Sequence, residues 1–201
     1  MSERPYVIGL TGNIATGKST VGKMLAELGA EHIDADRVAH QVMARGRPAW
    51  REIVEAFGRQ VLGPASEIDR AKLGSIVFSD PRALERLERI VHPRVIEVTK
   101  EQVAASQAAV VVVEAIKLIE SGMVIELCHT LWVVTAPRQV QIQRLVSERD
   151  MSPQEAASRV DAQPPQSQKI ARADVVIDNG GSIASTARQV EMAWEAINVE
   201  R

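Results

Sequence analysis

Cysteine occurs only once in the sequence, at Cys128, so the chain can form neither an internal disulfide nor a thiolate cage for a metal ion. The apolar residues around it, in VIELCHTLWVV, predict a buried and unreactive thiol. Long hydrophobic runs are also lacking, and the N-terminus MSERPYVIGLTG has neither the basic start nor the long apolar centre of a secretory signal. We therefore expect a cytoplasmic protein that does not contact a membrane.

An excess of basic charge is absent as well. The 24 lysines and arginines are balanced by 26 aspartates and glutamates, which leaves a net charge of −2. This balance gives no electrostatic footprint for DNA or RNA, so nucleic acid is not an expected partner, and nothing implies an obligate protein partner. Hydrophobic residues make up 45% of the chain and charged residues 25%, which is typical of a globular domain. The length favours a single core that carries inserted segments.

Five short apolar segments are predicted to be strands, and helical patterns fill the intervals between them. The segments are residues 6–10, HIDAD at 32–36, AVVVVEA at 109–115, TLWVVTA at 130–136 and DVVID at 174–178. Alternating strands and helices predict an α/β fold with a parallel sheet covered on both faces, because parallel strands need crossover connections.

Two stretches are longer than a crossover requires. The first, between the second and third strands, has helical spacing and many charges; it is either an inserted helical subdomain or a helical excursion without a binding role. The second follows the fourth strand and contains SPQE at 152–155, in which Ser152, Pro153 and Glu155 form the pattern of a capping box.

The segment GNIATGKST after the first strand matches the phosphate-loop pattern G-x-x-x-x-G-K-[ST], with a strand before it and a helix after it. Glycines allow successive backbone N–H groups to surround an anion, and the helix directs its positive end to the same point. Lys18 supplies a positive charge for the β- and γ-phosphates, and the hydroxyl of Ser19 suits Mg²⁺. The alternative is a plain glycine turn with a solvated lysine. The predicted nucleotide contacts are Gly12, Asn13, Ile14, Ala15, Thr16, Gly17, Lys18, Ser19 and Thr20.

Two acids, Asp34 and Asp36, lie at the end of the second predicted strand. Because ligands of open α/β sheets bind outside the carboxyl ends of the strands, an acid there can accept a proton from an attacking hydroxyl or orient magnesium. The alternative is that one of them only caps the helix that follows.

The chain resembles the dephospho-coenzyme A kinase family. The resemblance is carried, in family order, by IGLTGNIATGKSTV, LGAEHIDADRVAHQV, IDRAKLGSIVFSDPRALERLERIVHPRV, QIQRLVSERDMSPQEAASRVDAQ and ADVVIDNGGS. It implies ATP- and Mg²⁺-dependent phosphorylation of the ribose 3′-hydroxyl of dephospho-CoA to coenzyme A. It also implies a three-layer P-loop NTPase fold of the mononucleotide-kinase type, with a five-stranded parallel sheet. The implied core covers about 5–36, 108–137 and 173–200, with a helical acceptor-binding insertion at 37–107 and a lid at 138–172.

The resemblance also implies roles for single residues. Asp36 would be the general base and Asp34 would position the acceptor or the metal. Arg144 would reach the phosphates from the lid, where Arg149 and Gln163 are further candidates. Thr11 would face the same site, and Asn179 would lie near adenine. His92 would shape the acceptor domain, and Glu114 would orient magnesium through water.

Each of these roles has an alternative interpretation. Arg144 and Glu114 could alternatively be solvated charges. His92 could be a packing or capping residue, and Asn179 could be part of a turn.

Two segments also depart from the family pattern: the loop has Asn13 and Ala15 in place of glycines, and EAIKLIE carries Ile116 and Lys117 where the family has Pro and Leu. Asparagine tolerates left-handed backbone angles, whereas alanine adds a Cβ near the phosphates. Lys117 either contacts acceptor phosphate or faces solvent.

Two rival functions share the phosphate loop. One is a P-loop kinase for another nucleotide or small molecule, and the other is a non-catalytic nucleotide-dependent switch. The absence of an NKxD-like guanine-reading motif counts against the switch.

Overall fold

The computed structural model of the chain describes residues 4–116, 118 and 125–199. Its centre is a five-stranded, fully parallel sheet with the strand order β2-β3-β1-β4-β5. The strands are β1 (Tyr6–Thr11), β2 (Glu31–Asp34), β3 (Val110–Glu114), β4 (Thr130–Thr135) and β5 (Val175–Asp178). The predicted parallel α/β sheet is therefore confirmed.

The helices follow the chain as α1 (Lys18–Glu27), α2 (Ala35–Val42), α3 (Pro48–Phe57), α4 (Arg70–Val77), α5 (Pro81–Ala105), α6 (Arg138–Arg149), α7 (Pro153–Asp161), α8 (Gln166–Ile170) and α9 (Ile183–Val199). Short 3₁₀ turns cover Arg59–Val61 and Ile125–Leu127. None of the helices in the described part of the chain combines the length and apolar character needed to cross a bilayer.

The three central strands, β1, β3 and β4, are rich in apolar residues because both of their faces are buried. On one face, alternate residues such as Ile8, Val112 and Trp132 pack against α1 and α9. This core fixes the carboxyl ends of the strands and the start of α1 as a rigid base.

The chain divides into two compact units. The sheet unit comprises residues up to 34 and from 103 onward, and the helical unit comprises residues 35–102. The helical unit contains α2, α3, α4 and most of α5, with buried apolar residues including Ile53, Leu73 and Val95. Long α5 runs through Pro93, beside His92.

Local signals explain where several elements begin and end. Ser152 and Glu155 form the predicted capping box at the start of α7, with Pro153 as its first residue. The second strand is shorter than HIDAD: it ends at Asp34, and Asp36 lies in the first turn of α2. The two acids are therefore divided between a strand and a helix.

Candidate active site

The phosphate loop connects β1 to α1. Gly17 precedes α1 in the left-handed region, with φ of 92°, and no side chain caps the helix start. Because the first N–H groups of a helix lack partners within it, α1 presents them to whatever lies at its N-terminus. Together with the helix dipole, this arrangement favours a phosphate.

Lys18, the first residue of α1, is buried with only 7% of its surface exposed. Its ammonium group donates to the carbonyl oxygens of Gly12 at 3.1 Å and Asn13 at 3.3 Å. The lysine side chain thus lies over the loop, and its charge is held where the loop can bind an anion. The predicted alternative of a solvated lysine in a plain turn is wrong.

Arg144, on α6, holds the outer side of the loop. Its Nη1 donates to the carbonyl oxygens of Ala15 and Thr16, both at 3.1 Å, and its Nη2 donates to that of Asn179 at 2.7 Å. The C=O and N–H groups of a trans peptide point in opposite directions, so fixing these two carbonyls also fixes the N–H groups of Thr16 and Gly17. The alternative of a solvated Arg144 is wrong.

Asn179, after β5, is buried with 3% exposure. Its Nδ2 donates to the Thr16 carbonyl at 2.8 Å, and its Oδ1 accepts from the Thr186 hydroxyl at 2.9 Å. The side chain therefore ties the loop to α9, which is more than a turn signal would require. Its contact with adenine stays a prediction.

A cleft of about 310 Å³ opens beside this part of the loop. Several predicted nucleotide contacts line it, together with charged and apolar residues from the segments that follow β4 and β5. Its lining includes Gly17, Lys18, Ser19, Thr20, Arg144, Arg149, Asn179 and Ile183.

Residues of the predicted lid also contact the loop. The Ile14 N–H donates to Oε1 of Gln163 at 2.7 Å, and Nδ2 of Asn13 donates to the Pro164 carbonyl at 2.9 Å. Ile14 and Ala15 also pack against an apolar cluster that includes Leu145 and others on α6 and α7. Parts of residues 138–172, on α6, on α7 and just after α7, therefore contact the loop.

The two unusual loop residues have different conformations. Ala15, with φ of 56°, is the one in the left-handed region, whereas Asn13 is not among the described residues with positive φ. A left-handed alanine is strained relative to glycine. Its methyl group packs on the apolar cluster that includes Leu145, which offsets part of that strain.

A second group of polar side chains lies at the ends of β2 and β3. Asp34 and Glu114 are the last residues of these strands and are paired in register. Glu114 is buried at 6% exposure; its Oε1 accepts from the Ser19 hydroxyl at 3.2 Å, and its Oε2 lies 3.0 Å from Nε2 of His32. Glu114 is therefore not the solvated strand-end acid of the alternative. His32 was missed, although its position two residues before Asp34 places it on the same strand face.

These side chains suit magnesium by their chemistry. Mg²⁺ prefers oxygen ligands and uses one or two carboxylates together with substrate phosphates and water. Ser19 and Glu114 provide a hydroxyl and a carboxylate in contact, with Asp34 on the neighbouring strand end. Within the part of the chain that the structure describes, no three His, Cys, Asp or Glu side chains surround a common point, which is the arrangement that a dedicated protein cage would need.

Thr11 is fully buried, and its hydroxyl donates to the carbonyls of Ala115 at 2.8 Å and Ile116 at 3.2 Å. Lys169, on α8, is also buried and donates to the Ile116 carbonyl at 3.0 Å. Both side chains hold the Ile116 carbonyl, two residues after β3, and no sequence signal marked Lys169. Lys117 lies outside the described residues.

The remaining predicted residues have the following places. Asp36 and His92 are partly buried in the helical unit, on α2 and α5, and their roles stay predictions. Thr20 lies in the first turn of α1, where its N–H donates to the Gly17 carbonyl. Cys128 is half-buried rather than buried, and burial raises the pKa of its thiol to about 12; its lack of reactivity stays a prediction.

Comparison with known proteins adds the identity of the family. The family model for dephospho-CoA kinase matches residues 6–185. A dephospho-CoA kinase from Moorella thermoacetica is 44% identical over 196 residues, which cover 96% of this chain and 92% of that protein. The chain belongs to the dephospho-CoA kinase family.

Solved structures agree with this membership. A dephospho-CoA kinase from Campylobacter jejuni superposes with a TM-score of 0.65 at 27% identity, covering 95% of this chain and 96% of that one. A crystal structure from Thermus thermophilus gives a TM-score of 0.83 at 34% identity, covering 98% of both chains. The predicted family, P-loop fold and kinase class are confirmed, and dephospho-CoA kinases use ATP and a second small molecule as substrates.

Proposed function

We propose that this chain transfers the γ-phosphoryl group of ATP to the ribose 3′-hydroxyl of dephospho-CoA. The products are ADP and coenzyme A, so the reaction is the final step of coenzyme A biosynthesis. The observation that carries this proposal is the set of groups at the carboxyl ends of β1, β2 and β3. An anion-binding loop with a buried lysine lies beside two in-register carboxylates, Asp34 and Glu114.

The loop binds the donor. N–H groups at the start of α1 and the ammonium of Lys18 hold the β- and γ-phosphates, and the cleft beside them takes the rest of the nucleotide. The guanidinium of Arg144 has five N–H donors, more than its three loop and turn contacts use. Arg144 therefore offsets charge on the transferred group without releasing the loop.

Ser19 holds magnesium by its hydroxyl and Glu114 orients the ion through water, with Asp34 beside them. When bound, the ion supplies positive charge that offsets the developing charge on the β- and γ-phosphates. The contact between the Ser19 hydroxyl and Glu114 keeps both oxygens at one place before the ion arrives.

Asp36 accepts the proton of the attacking 3′-hydroxyl, and Asp34 orients the acceptor or the metal. The chain carries both acids within two residues of the end of β2, where ligands of open α/β sheets bind. General-base assistance of this kind contributes about 10²–10⁴-fold in rate.

The helical insertion, residues 37–107, binds the acceptor, and His92 shapes it. In support, the helical unit has a cavity of about 560 Å³ lined by residues that include Gln41, Arg47 and Arg94. This volume lies in the range of small-molecule sites. The lid, residues 138–172, covers the loop during the reaction and excludes water, which would otherwise compete as the nucleophile.

The direct test measures ADP release with Mg-ATP and either dephospho-CoA or a panel of nucleoside monophosphates and sugars, followed by the mass of the product. We expect ADP formation that requires dephospho-CoA and yields coenzyme A. A folded, ATP-binding protein that ignores dephospho-CoA would overturn the proposed reaction.

The base is tested by Asp36→Asn, with Asp150→Asn as a control at an exposed helix end. We expect Asp36→Asn to lower kcat by about 10²-fold or more while ATP affinity stays unchanged, because only proton transfer is lost. Near-normal turnover would remove Asp36 from the base role and leave the reaction itself in place.

A further inference from the structure

His32 and Glu114 form a polar pair between neighbouring strands. His32 on β2 is in register with Val112 on β3, so the next side chain on that face of β3 is Glu114. The distance from Nε2 of His32 to Oε2 of Glu114 is 3.0 Å. Because carboxylate oxygens only accept hydrogen bonds, Nε2 carries the hydrogen and donates it.

Helix α1 has a glycine, Gly22, where it packs against His32. A Cβ atom at Gly22 would lie 2.9 Å from Cε1 and 3.0 Å from Nε2 of His32, so only a glycine leaves room for the ring. Ser19 and Gly22 are three residues apart and therefore lie on the same face of α1. The same face thus makes room for the histidine and holds Oε1 of Glu114 through the Ser19 hydroxyl.

We propose that His32 is a positioning residue for Glu114, the carboxylate that orients magnesium. The imidazole holds Oε2, and this leaves Oε1 directed to Ser19 and to the ion. A glutamate side chain held at one oxygen loses less conformational entropy when the other oxygen orients a hydrated cation. Partners of this kind outside the coordination shell contribute about 10–100-fold to metal affinity. The inference rests on the proposed function, in which Ser19 holds magnesium and Glu114 orients it through water.

A purely structural role for His32 makes a different prediction. In that case the histidine satisfies a buried carboxylate, and its loss lowers stability without changing metal affinity. Glutamine can place an amide N–H near the position of Nε2, whereas leucine fills similar space with no donor. His32→Gln and His32→Leu therefore separate the hydrogen bond from the packing against Gly22.

The test uses Mn²⁺ as the probe for the magnesium site. Mn²⁺ binding to the ADP complex is titrated by electron paramagnetic resonance, ADP binding is measured in EDTA, and thermal unfolding verifies folding. The variants are His32→Gln, His32→Leu and Glu114→Gln. The control is His40→Leu, an exposed histidine on α2 whose Nε2 contacts Arg70.

We expect His32→Leu to weaken Mn²⁺ binding about tenfold, with His32→Gln and His40→Leu close to the wild-type value. ADP binding in EDTA should be the same for all of them. If Glu114→Gln weakens Mn²⁺ binding and His32→Leu does not, the role of His32 is overturned while the metal site stands. If His32→Gln loses as much as His32→Leu, the hydrogen bond is not the cause. If Glu114→Gln binds Mn²⁺ normally, the metal site itself is wrong, and the inference about His32 with it.

Discussion

The contact between Arg144 and the phosphate loop gives the most quantitative prediction. Arg144→Lys keeps the positive charge but replaces a planar fork of N–H donors with one ammonium group. A single ammonium cannot reach the carbonyls of Ala15, Thr16 and Asn179 together as the two guanidinium nitrogens do. We expect it to keep one of the three contacts.

The loss can be estimated from these contacts. A hydrogen bond to a charged group contributes about 1.5–3 kcal/mol, and two are lost. Because Arg144 is partly exposed, water replaces some of the interaction, so the low end of the range, about 3 kcal/mol, applies. For a chain of 201 residues this corresponds to a fall in Tm of roughly 6–12 °C.

The same change should weaken ATP binding, because the Ala15–Thr16 peptide loses its contact with Arg144 and the Thr16–Gly17 peptide is then held by Asn179 alone. We expect about a tenfold increase in Kd, equivalent to about 1.4 kcal/mol. Urea unfolding and titration with a fluorescent ATP analogue measure the two effects, with the exposed Arg159→Lys on α7 as control. If Arg144→Lys matches the control in both measurements, Arg144 does not hold the loop.

Three further predictions concern single sites. Gly17→Ala should abolish ATP binding and lower Tm, since a Cβ there meets Nδ2 of Asn179 at a backbone φ of 92°; calorimetry and ATP titration measure both. The thiol of Cys128 should react slowly with a thiol reagent at pH 8 in the folded protein and rapidly in urea. Burial raises its pKa from 9.0 to about 12, so the free energy of unfolding should also fall as pH rises between these values. Asp161→Asn should change stability little at pH 7, because its pair with Arg138 is exposed. Its hydrogen bond to Arg138 lowers the pKa of Asp161, so any difference from wild type should disappear as pH falls below about 4 in acid unfolding.

Much of the fold was predictable because its signals are local. Short valine-rich runs indicate buried parallel strands, and the capping box at Ser152 depends on residues within one helical turn. The segment HIDAD shows the limit of such signals. The sequence does not mark whether the chain leaves the strand before or after Asp36, and the structure ends β2 at Asp34.

The candidate site was predictable where one segment carries its function. The loop that contains Gly12, Gly17 and Lys18 needs only a strand before it and a helix after it. The partners of that loop come from distant parts of the chain. Gln163 is separated from Ile14 by 149 positions, and Asn179 from Thr16 by 163. No local pattern records such contacts.

The sequence by itself determined the order of strands and helices along the chain, the phosphate loop, the two acids Asp34 and Asp36 near the end of β2, and the resemblance to a kinase family. These features depend on residue types at short spacing. Only the tertiary structure decided that Arg144 and Asn179 hold the loop, that Glu114 is buried, and that His32 reaches Glu114 from the neighbouring strand β2. The reason is physical: crossover connections bring the carboxyl ends of non-adjacent segments together, so these contacts exist only once the sheet has formed.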